Sequence, residues 1–320
     1  MKILANDGIS SESKLELEKE GFIVITEKVN QEDLIEVINK ENYEGILVRS
    51  ATKIRQDIID NCPGIKFIGR GGVGMDNIDV NYAREKGIFV FNTPASSSQS
   101  VAELVIGLMF GTSRFIGSSS RNIESGDFNK LKKEYGSGIE LRGKTLGIIG
   151  FGRIGQTLAS YAIGIGMDVV AIDIEEKTVG VSISSEKHKL TTYVDVKTDI
   201  NEILPICDYI SVHVPKQEGN KPVIGKSEFE LMKDGVILIN TSRGGVIDEE
   251  ELIKNLDSGK VFSAGLDVFE NEPNPNKELL SHPKIISTPH IGAATNEAQG
   301  RIGDEIVKII IDNFKQMIII

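Results

Sequence analysis

The feature that most constrains this chain is the alternation of short apolar runs with charged, helix-like segments. The runs form two series, residues 2–5, 22–25, 45–48, 65–68 and 88–91, and then residues 145–149, 168–172, 209–212, 236–239, 261–266 and 285–287. Strands separated by helical segments are typical of βαβ units and of a parallel, doubly wound sheet. Two series therefore predict an α/β protein with two doubly wound parallel-sheet domains.

The segments outside the two series suggest where the domains meet. A long apolar stretch between the series opens with Ser100 and Glu103, which fit a capping box at the start of a helix. A second helix-like stretch, residues 297–314, follows the last run and is expected to return to the first domain. The predicted domains are residues 1–99 with 291–320, and residues 100–290, in agreement with a length of 320 residues.

Charge and composition limit the class of partner. Lys and Arg number 36 against 47 Asp and Glu, which gives a formal net charge of −11. An acidic surface argues against general binding of nucleic acid and against docking on an anionic membrane. An anionic ligand would therefore need a local basic pocket.

The targeting and metal signals point to an ordinary cytoplasmic protein. The N-terminus runs straight into a predicted strand without a secretory signal, and the most apolar stretch, residues 104–111, is far shorter than the ~20 residues of a membrane span. Cys62 and Cys207 lack the spacing of metal ligands, so we expect two idle thiols in a reducing compartment and no metal site.

The pattern G-x-G-x-x-G occurs twice, and its context separates the two copies. The copy at Gly150, Gly152 and Gly155 follows a predicted strand, opens a predicted helix and precedes Asp173 by 23 residues, counted from Gly150. This arrangement is typical of a dinucleotide site, because the glycines let the backbone approach a pyrophosphate and the helix N-terminus offers N–H groups. Asp173 would bond the adenine-ribose hydroxyls and repel a 2′-phosphate, so this copy predicts NAD rather than NADP.

The other copy, Gly69 to Gly74, is not followed by a helix, and the next predicted strand ends in Asn92 rather than in an acid. We interpret it as a tight turn whose backbone N–H groups could hold a substrate carboxylate. A plain glycine-rich turn is the alternative.

Arg243, Glu272 and His290 each follow a predicted strand of the second series and so lie at one edge of its sheet. Hydride reduction of a 2-oxo acid needs these three residue types. Histidine exchanges the alcohol proton, a carboxylate orients the imidazole and favours its charged form, and arginine pairs with the substrate carboxylate. Each residue alone could be a plain loop residue, but beside a dinucleotide fingerprint the set predicts hydride transfer. His213 ends a strand at the same edge and is a candidate for the adenine site.

These motifs resemble those of the D-isomer-specific 2-hydroxyacid dehydrogenases. Residues 147–155, 239–248, 265–273 and 289–293 match in order and spacing, and the resemblance covers essentially the whole chain. It implies a flavodoxin-like substrate domain and a Rossmann NAD-binding domain with a cleft between them. It also implies Arg243 as the substrate-binding arginine, Glu272 as the partner of the histidine and His290 as the acid/base.

The resemblance further implies which residues line NAD, with Asp267 at the carboxamide. Beyond the glycines, Asp173 and His213, these residues are Arg153, Ile154, Val214, Pro215, Thr241, Ser242, Asp267, Gly292 and Ala293.

Residues 45–53 and 69–79 resemble the substrate loops of the D-3-phosphoglycerate dehydrogenases of this family. The expected substrate-binding residues are Arg49, Ser50, Lys53, Arg70, Gly72 and Val73. The three cations would meet a phosphate, and the amides of Gly72 and Val73 a carboxylate. For the cations, a solvated surface is the alternative.

The predicted activity is therefore NAD-dependent oxidation of D-3-phosphoglycerate to 3-phosphohydroxypyruvate, a step of serine biosynthesis. A hydroxypyruvate or glyoxylate reductase, or another D-2-hydroxyacid dehydrogenase, is the alternative enzyme, and an NAD-sensing, corepressor-like binding protein is the alternative from another class. The resemblance also implies a homodimer. The polar segment 175–197 is longer than is usual in the family.

Overall fold

The computed structural model describes residues 1–124, 126–184 and 187–315. The chain divides into two compact units. The first unit is Met1–Ser97 together with the segment that begins at Ala293, and the second is Ser98–Gly292. These boundaries lie within two residues of the sequence-based ones, which were 99/100 and 290/291.

The secondary structure follows the alternation seen in the sequence. The strands are β1 (Lys2–Ala5), β2 (Ile23–Ile25), β3 (Gly45–Val48), β4 (Phe67–Arg70), β5 (Phe89–Asn92), β6 (Thr145–Ile149), β7 (Asp168–Ile172), β8 (Lys177–Ser184), β9 (Lys189–Lys197), β10 (Tyr209–Val212), β11 (Val236–Asn240), β12 (Val261–Leu266) and β13 (Ile285–Ser287). The helices are α1 (Ser11–Lys19), α2 (Leu34–Lys40), α3 (Gln56–Asn61), α4 (Val80–Glu85), α5 (Ser98–Ser113), α6 (Ile116–Asn122), α7 (Phe128–Glu134), α8 (Arg153–Gly164), α9 (Lys226–Leu231), α10 (Glu249–Ser258), α11 (Lys277–Ser281) and α12 (Asn296–Phe314). Short 3₁₀ turns cover Gln31–Asp33, Tyr135–Ser137, Ile200–Glu202 and Glu218–Asn220.

The first unit is a parallel sheet with the strand order β2-β1-β3-β4-β5. This is the order of the flavodoxin-like folds. Helix α12 packs on this sheet through apolar residues spaced by four, Ile302, Ile306 and Ile310, and its Phe314 ring lies 4.8 Å from the Phe67 ring. Since β3 is buried along its whole length, helices must cover both faces of the sheet.

The second unit is a sheet with the strand order β13-β12-β11-β10-β6-β7-β9-β8. Strands β9, β7, β6, β10, β11 and β12 reproduce the 3-2-1-4-5-6 order of the Rossmann fold, and β13 extends it. The order of the strands reverses between β6 and β10, which are adjacent in the sheet although β7, β8 and β9 separate them in the chain. Ligands of such sheets bind outside the carboxyl ends of the strands at this point.

One edge of the second sheet is antiparallel, so the prediction of a purely parallel sheet is wrong there. Strands β8 and β9 form an antiparallel hairpin in the polar segment 175–197, and β9 then pairs with β7 in parallel. Val181 is buried and Val179 is partly buried against the same apolar cluster as α8, and Ile183 is also partly buried. These residues alternate with polar ones, as expected for a half-buried strand, so a search for continuous apolar runs could not find the hairpin.

The start of α5 also differs from the prediction. The helix begins at Ser98, so Ser100 lies inside the first turn and is not the N-cap. The Glu103 carboxylate accepts a hydrogen bond from Gln99 Nε2 at 3.0 Å. The predicted N-cap is wrong because the helix starts three residues earlier than a cap at Ser100 would place it.

No single helix in the described ranges is long and apolar enough to cross a membrane. Helices α5 and α6 taken together pass this test of length and composition, but a bend of 61° separates them.

Both cysteines are free and buried. Burial raises the pKa of the Cys207 thiol to about 12 and also raises the pKa of Cys62. Thiolates are the reactive form of cysteine, so these two residues behave as small apolar side chains.

Candidate active site

The glycine-rich turn between β6 and α8 has the shape of a pyrophosphate cradle. Gly150 has φ +94°, and a Cβ there would lie 2.6 Å from the His213 carbonyl oxygen. A Cβ at Gly155 would lie 2.4 Å from the Gly150 carbonyl oxygen. At Gly152, the N-cap of α8, a Cβ would meet no atom within 4 Å. Two glycines are thus required by the protein itself, while the third leaves open space at a helix N-terminus, where a phosphate group fits.

Asp173 faces this turn from the end of β7. Its carboxylate accepts hydrogen bonds from the Phe151 N–H at 3.1 Å and from the Ile174 N–H at 2.8 Å. Arg153 and Ile154 form the first turn of α8, next to Gly152. A carboxylate has capacity for further donors, so an oriented Asp173 can still accept from a ribose hydroxyl. The residues present therefore fit the dinucleotide predicted from the sequence.

His213 closes the same crevice after β10. Its Nε2 lies 2.8 Å from Ser211 Oγ, and its Nδ1 is buried without a hydrogen bond among the described residues. Burial lowers the pKa of His213 to about 4, so the ring is neutral at physiological pH. Val214 is half-buried and Pro215 exposed beside it. A buried nitrogen with no partner is a position that a ligand hydrogen bond would satisfy.

The candidate acid/base and its partner are joined directly. His290 Nδ1 lies 2.7 Å from Glu272 Oε2, and Glu272 Oε1 accepts a hydrogen bond from the Phe269 N–H at 3.0 Å. Burial acts to raise the pKa of Glu272, but the His290 hydrogen bond and charge, the Phe269 N–H and the Arg243 charge outweigh it, so its pKa lies below the ordinary value. The ionised carboxylate accepts from Nδ1–H, which leaves Nε2 as the atom of His290 that can exchange a proton.

A second carboxylate holds the loop that carries His290. Asp267 is completely buried and accepts hydrogen bonds from Thr288 Oγ1 at 2.6 Å and from the N–H groups of Ile291 and Gly292 at 2.8 Å each. Asp267 was expected at the carboxamide of NAD because of the resemblance. Its three bonds to the histidine loop give it a structural role that the sequence did not suggest.

The backbone at His290 is itself unusual. His290 has φ +53°, in the left-handed region that non-glycine residues rarely adopt, and its N–H donates to the Thr288 carbonyl at 3.0 Å. Ala293, predicted with Gly292 to line NAD, begins the return segment to the first unit. The bonds to Asp267 on the C-terminal side of His290 help to hold this strained conformation.

The turn that carries Arg243 is wrapped around a buried amide. Asn240 Oδ1 accepts from the N–H and the hydroxyl of Ser242, and Asn240 Nδ2 donates to the Arg243 carbonyl. Thr241 Oγ1 is buried without a hydrogen bond among the described residues. The Arg243 charge helps to lower the pKa of Glu272, so these two side chains belong to one electrostatic cluster.

The predicted substrate cations lie in the first unit, at the carboxyl ends of neighbouring strands. Arg70 ends β4 and pairs in register with the last residue of β3, and Arg49 follows β3 directly. Ser50 and Lys53 are exposed in the same loop. Arg49 also lines a cavity of about 280 Å³ at this edge of the sheet.

Gly72 does not have the role predicted for it. Its N–H donates to Thr93 Oγ1 at 2.7 Å and is therefore occupied, which leaves the Val73 amide as the candidate for a carboxylate. Gly72 has φ +134°, and a Cβ there would lie 2.2 Å from Arg70 Nη1. Glycine is favoured at this position because few other residues adopt this φ, and it also leaves room for the Arg70 guanidinium.

Three side chains of the second unit can carry out proton transfer and anion binding. His290 can exchange a proton, Glu272 holds its ring, and Arg243 offers a cation to an anionic substrate. No cluster of three or more His, Cys, Asp or Glu side chains in the described part of the chain is placed to hold a metal ion.

Comparison with known proteins identifies the family. Residues 106–292 match the family model described as "D-isomer specific 2-hydroxyacid dehydrogenase, NAD binding domain". The chain belongs to the D-isomer-specific 2-hydroxyacid dehydrogenases. It is an NAD-dependent oxidoreductase, and both the family and the cofactor predicted from the motifs are confirmed.

Individual relatives carry different substrate names. The chain is 42% identical to hydroxypyruvate reductase of Thermotoga maritima, over 99% of this chain and 98% of that protein. It is 40% identical to D-3-phosphoglycerate dehydrogenase of Methanocaldococcus jannaschii, over 97% of this chain but only 57% of that protein. A solved glyoxylate reductase from Paecilomyes thermophila superposes with a TM-score of 0.83 at 28% identity, over 99% of this chain and 95% of that one. These likenesses confirm the two-domain α/β fold and leave the substrate open.

The open space at Gly152 can be tested directly. We expect Gly152→Val to weaken NADH binding at least about tenfold, because the new methyl groups occupy the space that a pyrophosphate needs. The melting temperature should change little, since a Cβ there meets no protein atom. Gly155→Ala is the matched control and should instead lower the melting temperature, because its Cβ meets the Gly150 carbonyl. Fluorescence titration with NADH and thermal melting distinguish the two, and unchanged NADH affinity in Gly152→Val would contradict the cradle.

The buried His213 predicts a dependence of stability on pH. The unfolded histidine takes up a proton near pH 6.5, whereas the folded one does so only near pH 4. Stability is therefore lost as the pH falls through this window, by up to about 3 kcal/mol. Between pH 7 and pH 4.5, we expect the free energy of unfolding to fall less in His213→Asn than in the wild type. Urea titrations at the two pH values measure this difference, and an equal fall in both proteins would contradict the role of His213.

Proposed function

We propose that this enzyme oxidises D-3-phosphoglycerate to 3-phosphohydroxypyruvate with NAD. The observation that carries the proposal is the placement of Arg49 and Arg70 at the carboxyl ends of adjacent strands, in a chain whose formal charge is −11. Relatives named D-3-phosphoglycerate dehydrogenase support it, at 40% identity over 97–98% of this chain.

The charge of the substrate explains why these cations matter. A phosphorylated hydroxy acid carries a carboxylate and a phosphate, so one arginine does not neutralise it. Arg49 and Arg70 would meet the phosphate. An acidic protein repels such a ligand unless cations are concentrated where it binds.

The residues of the second unit would carry the proton. NAD held by the glycine turn and Asp173 would supply the hydride acceptor for C2 of the hydroxy acid. His290 takes the hydroxyl proton at Nε2 while Nδ1–H stays bonded to Glu272, and the ionised Glu272 stabilises the resulting imidazolium. Arg243 holds the carboxylate next to C2. In the direction of reduction, the same His290 nitrogen returns the proton to the carbonyl oxygen.

A second candidate is a hydroxypyruvate reductase. It is favoured by the Thermotoga maritima relative of that name, which is 42% identical to this chain. In that case the chemistry at His290 is unchanged, and Arg49 and Arg70 have no phosphate to bind. The homodimer and the cytoplasmic location remain predictions, and light scattering on the purified enzyme tests the first.

The substrate can be decided by comparing three acids. We expect oxidation of NADH with 3-phosphohydroxypyruvate to have a higher kcat/KM than with hydroxypyruvate or glyoxylate. Arg70→Ala should raise the KM for the phosphorylated acid at least about tenfold, because a charge-assisted contact is lost, and spare hydroxypyruvate. Lys66→Ala, at the amino end of the same strand and paired with Glu44, is the control and should change neither. Equal losses on both acids in Arg70→Ala would favour the reductase.

The assignment of the acid/base has its own test. His290→Ala should lower kcat by about 10²–10⁴-fold on every accepted acid, because proton transfer loses its catalyst. The control is His282→Ala. It removes the histidine that caps the C-terminal end of α11 and pairs with Asp257 of α10, and it should leave kcat near the wild-type value. Near-normal turnover in His290→Ala would show that another group moves the proton.

A further inference from the structure

The loop that follows β3, residues 49–53, is called the substrate loop here because Arg49, Ser50 and Lys53 lie in it. Side chains from three other segments bind its backbone. The first of these side chains, Gln31, accepts from the Lys53 N–H at 2.9 Å and donates to the Lys53 carbonyl at 2.8 Å. Such side-chain to backbone bonds hold a loop in one shape without secondary structure.

Asp7, two residues after β1, makes three hydrogen bonds to this loop, two of them to backbone N–H groups. Its Oδ2 accepts from the Arg49 N–H at 2.7 Å and from the Thr52 N–H at 3.0 Å, and its Oδ1 accepts from the Thr52 hydroxyl at 2.8 Å. The Asp7 side chain is only 5% exposed, and Lys28 Nζ lies 3.5 Å away. This carboxylate is therefore committed to the substrate loop.

Asn77 binds the same two residues from the other side. Its Nδ2 donates to the Arg49 carbonyl at 2.7 Å and to the Thr52 carbonyl at 2.6 Å. Asp7 and Asn77 together thus engage both the N–H and the carbonyl of Arg49 and of Thr52. With both of its peptide groups held, Arg49 keeps a defined direction from its Cα, and only its side-chain torsions remain free.

Arg49 is the cation that this clamp directs. Its guanidinium makes no hydrogen bond or ion pair with any residue in the described ranges, and Arg49 lines the cavity of about 280 Å³ together with Asp7, Ser10 and Gln299. Binding to a cation whose backbone is already held costs less conformational entropy than binding to a mobile one.

We propose that Asp7 and Asn77 are positioning residues that hold the substrate loop so that Arg49 meets the anionic end of the acid. The inference rests on the proposed function in that the substrate loop binds the acid. The anionic end that Arg49 meets is the phosphate of the acid.

The state of the Asp7 carboxyl agrees with this role. Burial acts to raise its pKa, but the bonds from Arg49 and Thr52 and the nearby Lys28 charge outweigh burial, so the pKa of Asp7 lies below its ordinary value. The carboxylate is therefore ionised and able to accept all three bonds throughout the neutral range.

The test compares KM with kcat for 3-phosphohydroxypyruvate in variants of Asp7. Asp7→Ala should raise the KM for the acid at least about tenfold while kcat changes less than about threefold, because binding is lost and not proton transfer. NADH affinity should not change. The KM of Asp7→Asn should lie between those of the wild type and Asp7→Ala, because the amide oxygen can still accept from both N–H groups. Asp57→Ala removes an exposed aspartate of α3 and is the control.

Further variants separate this inference from the proposed function. If Arg49→Ala leaves KM unchanged, the substrate loop does not bind the acid and the proposed site fails. If Arg49→Ala raises KM but Asp7→Ala and Asn77→Asp do not, the positioning role is overturned while the site stands. If Asp7 acts through Arg49, the KM of the double variant Asp7→Ala with Arg49→Ala should equal that of Arg49→Ala alone within about twofold. Should Asp7→Ala fail to fold, Asp7→Asn and Asn77→Asp decide the same question.

Discussion

Parallel strands bring all of their carboxyl ends to one edge of a sheet, and both units of this protein depend on that constraint. In the second unit, the edge gathers the loops after β6, β7, β10, β11, β12 and β13, so that the glycine turn, Asp173, Arg243, Glu272 and His290 all follow strand ends although they span much of the chain. In the first unit, the same geometry brings the loops after β1, β3 and β4 together. Loops are free to carry chemistry here because the buried strands carry the stability.

Both units use a buried carboxylate to give a functional loop its shape. Asp267 accepts from three donors of the histidine loop, and Asp7 accepts from three donors of the substrate loop. Each aspartate follows a strand end and replaces the ladder bonds that the chain loses where the sheet stops. The Asp267 bonds also compensate for the left-handed backbone at His290, which would cost roughly 1–3 kcal/mol in an unsupported loop.

The sequence predicted those parts of the fold that depend on local patterns. Continuous apolar runs marked β6, β7 and β10 to the residue, and Arg243, Glu272 and His290 follow β11, β12 and β13, as the strand ends predicted. It missed the β8–β9 hairpin, whose apolar residues alternate, and it misjudged Gly72, whose N–H is used by Thr93. Asp7 and Asn77 also escaped notice, because which backbone groups a side chain reaches depends on the shape of two loops at once. Asp7 does stand just after a strand end, a signal that was available.

The route of the chain has a consequence for synthesis on the ribosome. Helix α12 supplies Ile302, Ile306, Val307, Ile310 and Phe314 to the core of the first unit, yet it is translated after the whole of the second unit. The second unit is continuous and can complete its core as soon as residue 292 has emerged. The first unit must wait, with the β-sheet of Met1–Ser97 lacking one of its covering helices, until the last segment arrives. The nucleotide-binding half is therefore the one that can fold first, and the substrate half closes its core afterwards.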